Sequence, residues 1–347
     1  MAGITTTTTA TLEYQTFYTD YLLDHVVQLL VLDQFADKKP FPKGAGAKSI
    51  RFFKKGAADD AQVQTLVEGT APASGTYRQI TLANVDVTLT QYGQVASVTD
   101  ILTWTDKLRV LKETIGTMTE DCALKADVVI RNDIIATNIA DFASPPAGQG
   151  AIPTARIKKY AGTATTFATL QALNQTTGAL TGLNVLDQKT SLVLNRAQRI
   201  QGDYIMIAAP NITRDLMNDS KWINVSSYSK PSMLFNGEAG IFYGCRVVEQ
   251  TNPFIEDGLA GAEGTLNTAA LAANAIFPTF FTGKGAYGCP IMAGQSPFSP
   301  KVFMVDEADH SDPLLQQTLA GYKTYWGSKL YHSDWLIVFR SKSGYGV

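Results

Sequence analysis

The sequence predicts an α+β protein of several lobes set about one long helix. Three observations predict it: an apolar stripe at helical spacing from Thr105 to Phe142, strand-like segments on both sides of it, and a surface poor in charge. Leu108, Leu111, Ile115, Met118 and Cys122 recur at alternating steps of three and four, and Ala126, Val129 and Ile139 continue the stripe. A strand has no use for that spacing. Thr105 is placed to cap the amino end beside Asp106, and Ser144-Pro145-Pro146-Ala147-Gly148 stops the other. At ~1.5 Å per residue the helix is about 55 Å long, where an average globular helix has about 11 or 12 residues. Asp121 with Lys125 and Asp127 with Arg131 are acid-before-base pairs, which predicts that the other face is solvated or meets charged partners.

The elements before the helix follow in order. Thr5 to Thr9 is low-complexity sequence, and Phe17, Tyr21, Leu22, Val26, Leu29 and Leu30 share the face of an amphipathic helix from Tyr14 to Leu32. Lys38, Lys39, Lys43, Lys48, Arg51, Lys54 and Lys55 then form the most basic stretch, with no acidic residue among them. Contact with a neighbour, contact with phosphates and a solvated edge all remain open for it. Ser49 to Phe53 reads as a strand with Phe52 and Phe53 on opposite sides, and Ile80 to Tyr92 as a second strand with a bulge at Ala83-Asn84. A strand out, a glycine-bearing tip and a strand back make a two-stranded arm. Such an arm is not stable alone and must rest on another lobe or another chain.

After the helix, Asn184 to Ile200 resumes helical spacing, Tyr204 to Ala208 is a short buried strand, and Asn211 caps a helix through Met217. Trp222 to Tyr228, Ile241 to Gln250 and Ile276 to Phe281 read as strands between glycine-rich loops. Lys301 to Val305 and Trp335 to Phe339 are strands flanking Leu314 to Tyr325, which returns the chain to the lobe of the long helix.

At 347 residues, 45% of them hydrophobic, the chain is long enough for two or three lobes with cores of their own. Charged residues are 17%, below the usual figure of about 25%, as expected where large areas face other subunits. A net charge of -2 argues against a dedicated nucleic-acid reader. The three cysteines lack zinc or disulfide spacing, and no apolar run approaches the ~20 residues of a membrane span. A soluble protein made in a reducing cytoplasm is the expectation.

Several short motifs, in order, resemble the major capsid proteins of tailed bacteriophages, particularly the phage N4-type family. They are Thr65-Leu66-Val67-Glu68-Gly69-Thr70-Ala71-Pro72, Leu89-Thr90-Gln91-Tyr92-Gly93 and Ser97-Val98-Thr99-Asp100 ahead of the long helix. Ala209-Pro210 with Arg214-Asp215-Leu216, Phe235 to Gly240 and Gly244 to Glu249 follow, then Ala286-Tyr287-Gly288, Asp312 to Gln316 and Gly321-Tyr322-Lys323. The resemblance covers nearly the whole chain and implies the Hong Kong 97-like (HK97-like) capsid fold. It implies an N-terminal arm (residues 1–49), an extended E-loop (50–97) and a P domain (98–203) that includes the spine helix 105–142. An A domain (204–300) and a return to the P domain (301–347) complete it. The implied role is self-assembly into the icosahedral shell around the double-stranded DNA of a tailed phage, with no enzymatic activity and no catalytic, cofactor or metal residue. Lys48, Arg51, Lys54, Lys55, Glu68, Arg78, Asp121 and Arg131 are then the candidates for contacts between subunits.

The implied partners are further copies in pentamers and hexamers, with separate scaffolding, portal and decoration proteins. DNA is enclosed without sequence-specific binding, and no membrane is involved. The implied place is the virion capsid, assembled in the host bacterial cytoplasm. The chain departs from the family at Ala209, where a His often precedes the proline. It also has no long scaffolding region ahead of the arm, which implies a separate scaffolding protein or none.

Rival readings are an encapsulin-type nanocompartment shell of the same fold and a glycosidase using carboxylates such as Glu238 and Asp257. Asp306, Glu307, Asp309, His310 and Asp312 offer oxygen ligands but lack the EF-hand glycine and terminal glutamate, which favours a solvated turn. His25, His310 and His332 have no nucleophile at a recognisable spacing. Gly283-Lys284-Gly285 lacks the rest of a phosphate loop and reads as a turn, and the aromatic residues Tyr322, Tyr325, Trp326, Tyr331 and Trp335 read as core.

Overall fold

The computed structural model describes residues 30–41, 48–55, 63, 65–70, 82–105, 110–140, 179–219, 222–224, 235, 237–250, 256–257, 275–292, 301–305 and 316–343. A 3-10 turn (Leu32–Phe35) is followed by β1 (Asp37–Phe41), β2 (Ser49–Lys55), β3 (Leu82–Thr88) and β4 (Thr90–Thr99). Next come α1 (Asp100–Thr105), α2 (Val110–Ala140), α3 (Gly182–Leu194), β5 (Tyr204–Ala208), α4 (Pro210–Met217) and β6 (Ile223–Asn224). The chain continues through β7 (Glu238–Phe242), β8 (Cys245–Glu249), β9 (Glu256–Asp257), β10 (Ala275–Thr282), β11 (Tyr287–Met292) and β12 (Lys301–Val305). It ends with β13 (Gln317–Trp326), β14 (Lys329–Leu330), a second 3-10 turn (Ser333–Trp335) and β15 (Leu336–Ser341). The expected helix over Tyr14 to Leu32 lies almost wholly outside the described residues.

The largest sheet has the order β15-β10-β5-β8-β7-β6, with β9 on β10. Every residue of β5 and β15 is buried; β5 and the Leu336–Phe339 part of β15 read as unbroken apolar runs, and buried Arg340 and Ser341 end β15. Alternation divides them between two cores. Ile205, Ile207, Val248, Phe280, Leu336 and Val338 face the core that includes α2, whereas Tyr204, Met206, Val247, Phe281, Ile337 and Phe339 face Val185 and Leu192 of α3 and Ile212 and Leu216 of α4.

A second sheet, β12-β13-β4, carries α2 on one face only. Ala320, Tyr322, Thr324 and Trp326 of β13 point inward and are buried; Tyr325, one residue out of phase, is 39% exposed. A third sheet, β1-β11-β14, pairs β1 with β11 in parallel, and β2 and β3 form the two-stranded arm. Phe52 is fully buried and Phe53 is 51% exposed, the opposition that the sequence predicts.

Several expectations are corrected. Asp100 opens α1, its carboxylate accepting from Ile101 N at 2.6 Å, α2 is described from Val110 on, and the expected start just after Thr105, at residues 106–109, lies outside the described residues. The stripe on α2 follows steps of four rather than sevens. Ile115, Thr119, Ala123, Asp127, Arg131 and Ile135 are buried beside Met118, Cys122, Ala126, Ile130 and Ile134. Each step of four turns the face by roughly 40°, so the buried side winds about the helix from β4 and β13 toward β14 and residues 32–35. Asp127 and Arg131 are therefore buried, not on a solvated face.

The pairing of β2 with β3 runs without a bulge at Ala83-Asn84; the break falls at Leu89, between β3 and β4. Ile241 to Gln250 is not one strand but the hairpin of β7 and β8, turned at Tyr243 (φ 49°) and Gly244 (φ 74°), the left-handed pair of a type I′ turn. Lys189 Nζ donates to Tyr243 O at 2.8 Å and holds that turn. Ala209, not Asn211, caps α4, because Pro210 supplies a helical φ at the first position without needing a side-chain cap. Thr181 caps α3 ahead of the expected start, its hydroxyl accepting from Asn184 N at 3.4 Å.

Candidate assembly surface

The two-stranded arm is rooted on the body. Phe52 of β2 stacks on Tyr331 with ring centroids 5.4 Å apart, and Tyr331 Oη donates to Asp37 Oδ2 at 3.0 Å. The Phe52 ring also lies against Gly288 of β11, where no side chain fits. Lys54 joins Asp334 at 3.0 Å, and Lys39 Nζ sits 4.5 Å from the Phe52 ring centre. A hairpin that would not persist alone is thus pinned at its base.

The far part of the arm is open. Val63, Leu66 and Val67 are 79%, 70% and 70% exposed, and Phe53 and Leu82 add to the apolar area. Thr70 N donates to Val67 O at 3.2 Å across a tight turn whose third residue, Gly69, has φ +78°, as a type II turn requires. Among the described residues nothing packs on the outer face of the β12-β13-β4 sheet, and it is a second apolar area. Val95, Gly321 and Phe303 lie side by side across its strands, so glycine forms a groove between two exposed side chains, with Leu319 and Lys323 along it. Ile101 and Leu102 of α1, and Leu183, Leu186, Val193 and Leu194 of α3, are exposed too. Apolar areas of this extent mark surfaces that meet other molecules.

The predicted contact residues fall in different places. Lys48 is exposed at the foot of β2. Arg51 is exposed and makes a fork to Asp86 at 2.7 and 2.9 Å, which raises the guanidinium and lowers the carboxyl from their ordinary values through the shared hydrogen bonds. Lys54 is half-buried by its bond to Asp334, and Lys55 ends β2. Glu68 is exposed on the tight turn, and Arg78 lies outside the described residues. Asp121 is exposed and accepts from Gln94 Nε2 at 3.1 Å. Arg131 is buried on α2, at 2% exposure.

Much of the basic stretch is satisfied within the chain. Lys38 joins Asp33 at 2.7 Å, and Arg51 and Lys54 have the carboxylate partners given above. Sequence reasoning missed the groove residues Val95 and Phe303 and the outward stripe of α3. Their signal is an apolar residue at the outward parity of an otherwise half-buried element.

Of the two carboxylates offered for catalysis, only Glu238 has a described side chain. Glu238 is buried and held by Arg246 Nη1 at 2.8 Å, while Arg246 Nε reaches Asp203 at 3.0 Å, an ion-pair network in the interior. Asp257 belongs to β9. Among the described residues no cluster of His, Cys, Asp and Glu could hold a metal ion, and no helix is long and apolar enough to cross a membrane. The Asp306 to Asp312 segment, His25 and His310 lie outside the described residues. Gly283-Lys284-Gly285 is a turn between β10 and β11, and His332 stacks on Trp335 at 4.1 Å.

No family model matches the chain, and no curated protein matches it. Solved structures do. A chain of the capsid of Ralstonia phage GP4 aligns with a TM-score of 0.60 at 11% identity, over 89% of this chain and 87% of that one. The capsid asymmetric unit of cyanophage Pam1 gives 0.56 at 14% identity over 89% of each chain. The capsid structure of cyanophage P-SCSP1u gives 0.52 at 13% identity, over 90% and 89%. Likeness over this much of both chains is likeness of the whole architecture: the fold is α+β, of the HK97-like capsid type.

Proposed function

We propose, from that fold, that the chain is the major capsid protein of a tailed phage of the N4 type, assembling with copies of itself into an icosahedral shell around double-stranded DNA. The observation that carries the reading is the pairing of a capsid-type fold with an arm that is anchored at its base and apolar along its exposed far part. Residues 1–49 serve as the N-terminal arm, 50–97 as the E-loop, 98–203 with 301–347 as the P domain, and 204–300 as the A domain. The E-loop lies across a neighbouring subunit, where its apolar residues leave water. At ~25 cal/mol per Å² of apolar surface, interfaces of the obligate size class outweigh the entropy lost on joining.

Pentamers and hexamers form the shell in the host cytoplasm, with scaffolding, portal and decoration proteins as separate chains. The test is sedimentation of the purified chain followed by negative-stain imaging. Uniform closed particles are expected, and removal of residues 57–76 is expected to leave a folded protein that forms none. Normal shells from the shortened chain would refute the role given to the arm.

A further inference from the structure

The junction between residues 30–35 and α2 is apolar, yet it encloses two carboxylates. Val31 N and Leu32 N donate to Oδ2 and Oδ1 of Asp127, each at 3.2 Å, so one side chain of α2 receives two consecutive amides of the incoming segment. Asp127 is 6% exposed. Beside it Asp33 is 5% exposed; its Oδ2 takes Lys38 at 2.7 Å, and its Oδ1 is buried without a hydrogen-bond partner. From β11, Tyr287 donates its hydroxyl to Leu32 O, and it and Cys289 are buried near the two carboxylates. From α2 itself, Arg131 lies one turn beyond Asp127. Among the described residues Lys38 and Arg131 are thus the cations facing two acids, and the bare oxygen of Asp33 is where an ionised pair is least satisfied.

We propose that the seat of residues 30–33 on α2 is a proton-operated latch, gripping tightly when Asp127 is protonated and loosening when it ionises. Burial pushes the Asp127 carboxyl up to about 7, against the two backbone donors and Arg131, and the charge of Asp33 adds to the rise. Burial raises Asp33 as well, with Lys38 opposing. A released segment returns Asp127 to water and to an ordinary value near ~3.9. The seated form therefore holds the extra proton. Its grip is complete below about pH 4, falls as pH rises, and is level once pH has passed through about 7. The ionised carboxylate still accepts from both backbone N–H groups, so the seat weakens without being abolished.

Hydrogen exchange of the full-length chain, followed at the amides of Val31 and Leu32 and corrected for the intrinsic pH dependence of exchange, reads the latch directly. Protection is expected to fall by up to about tenfold per pH unit between pH 5 and 7 and to level off by pH 8. Asp127→Asn keeps an acceptor for one amide and cannot ionise, so the slope is expected to shrink to the part that Asp33 contributes. Asp33→Asn is expected to keep the slope and move its end to lower pH. Flat protection in the unaltered protein overturns the proposal, as does an unchanged slope in Asp127→Asn. A slope lost in Asp33→Asn alone assigns the proton to Asp33 and overturns the role of Asp127. Because the readout is exchange and not particle formation, it is independent of the shell reading.

Discussion

Gly288→Ala isolates the contact that anchors the two-stranded arm. A Cβ at this position falls on three carbons of the Phe52 ring, well inside the ~3.5–4.0 Å at which carbon atoms rest. The ring has nowhere to go: it is fully buried, with Tyr331 stacked on one side. Overpacking of this kind costs about 1–3 kcal/mol. The upper half of that range applies, since relief requires β2 to lift from β11 or Phe52 to leave its rotamer. Restricting the unfolded chain returns about 0.4–1 kcal/mol. The net loss is then about 1–2.5 kcal/mol, read as a lower urea midpoint with an unchanged slope. Phe52→Leu in the same chain removes the clashing atoms, so the double variant is expected to lose less than the sum of the two singles by at least about 0.5 kcal/mol. Full stability in Gly288→Ala, or strict additivity with Phe52→Leu, would refute the anchoring role assigned to this contact.

Two other expectations follow from buried groups. Glu238→Ala removes one of two carboxylates from Arg246, and a loss of about 3 kcal/mol is expected, the low end for breaking a buried pair, because Asp203 still holds the guanidinium; equilibrium denaturation measures it, and a negligible loss would place Arg246 in water. Burial pushes the thiols of Cys122 and Cys245 up to about 12 and that of Cys289 well above its ordinary value. An aromatic disulfide reagent at pH 8 is therefore expected to label no thiol of the native chain within minutes and all three in denaturant, whereas one fast-reacting thiol in the native chain would contradict the packing of its site.

Strands with clean parity were legible in the sequence. Tyr204 to Ala208 and Lys301 to Val305 appear with the bounds read from the residues, and Phe52 and Phe53 divide as their alternation demands. What escaped has physical causes. Tyr243 adopts a left-handed conformation that few non-glycine residues take, so the hairpin around it read as one strand. Strand β11 contains Gly288 and Pro290, residues that speak against a strand; Pro290 is tolerated because β14 pairs only with Tyr287 and Gly288. Asp127 and Arg131 have the spacing of a surface ion pair, and only the segment packed over them distinguishes a buried position from an exposed one. The exposed apolar residues of the arm could be read as a motif, but not as uncovered area, because exposure depends on which lobe lies where.

The large sheet separates two cores while belonging to both. Adjacent residues of β5, such as Met206 and Ile207, send their side chains to opposite sides, so neither core can melt without stripping one face of the other's wall. Heat should therefore find a single cooperative unit here rather than two lobes that come apart in turn. Such a party wall spreads strain applied to one lobe through the backbone ladder to the next.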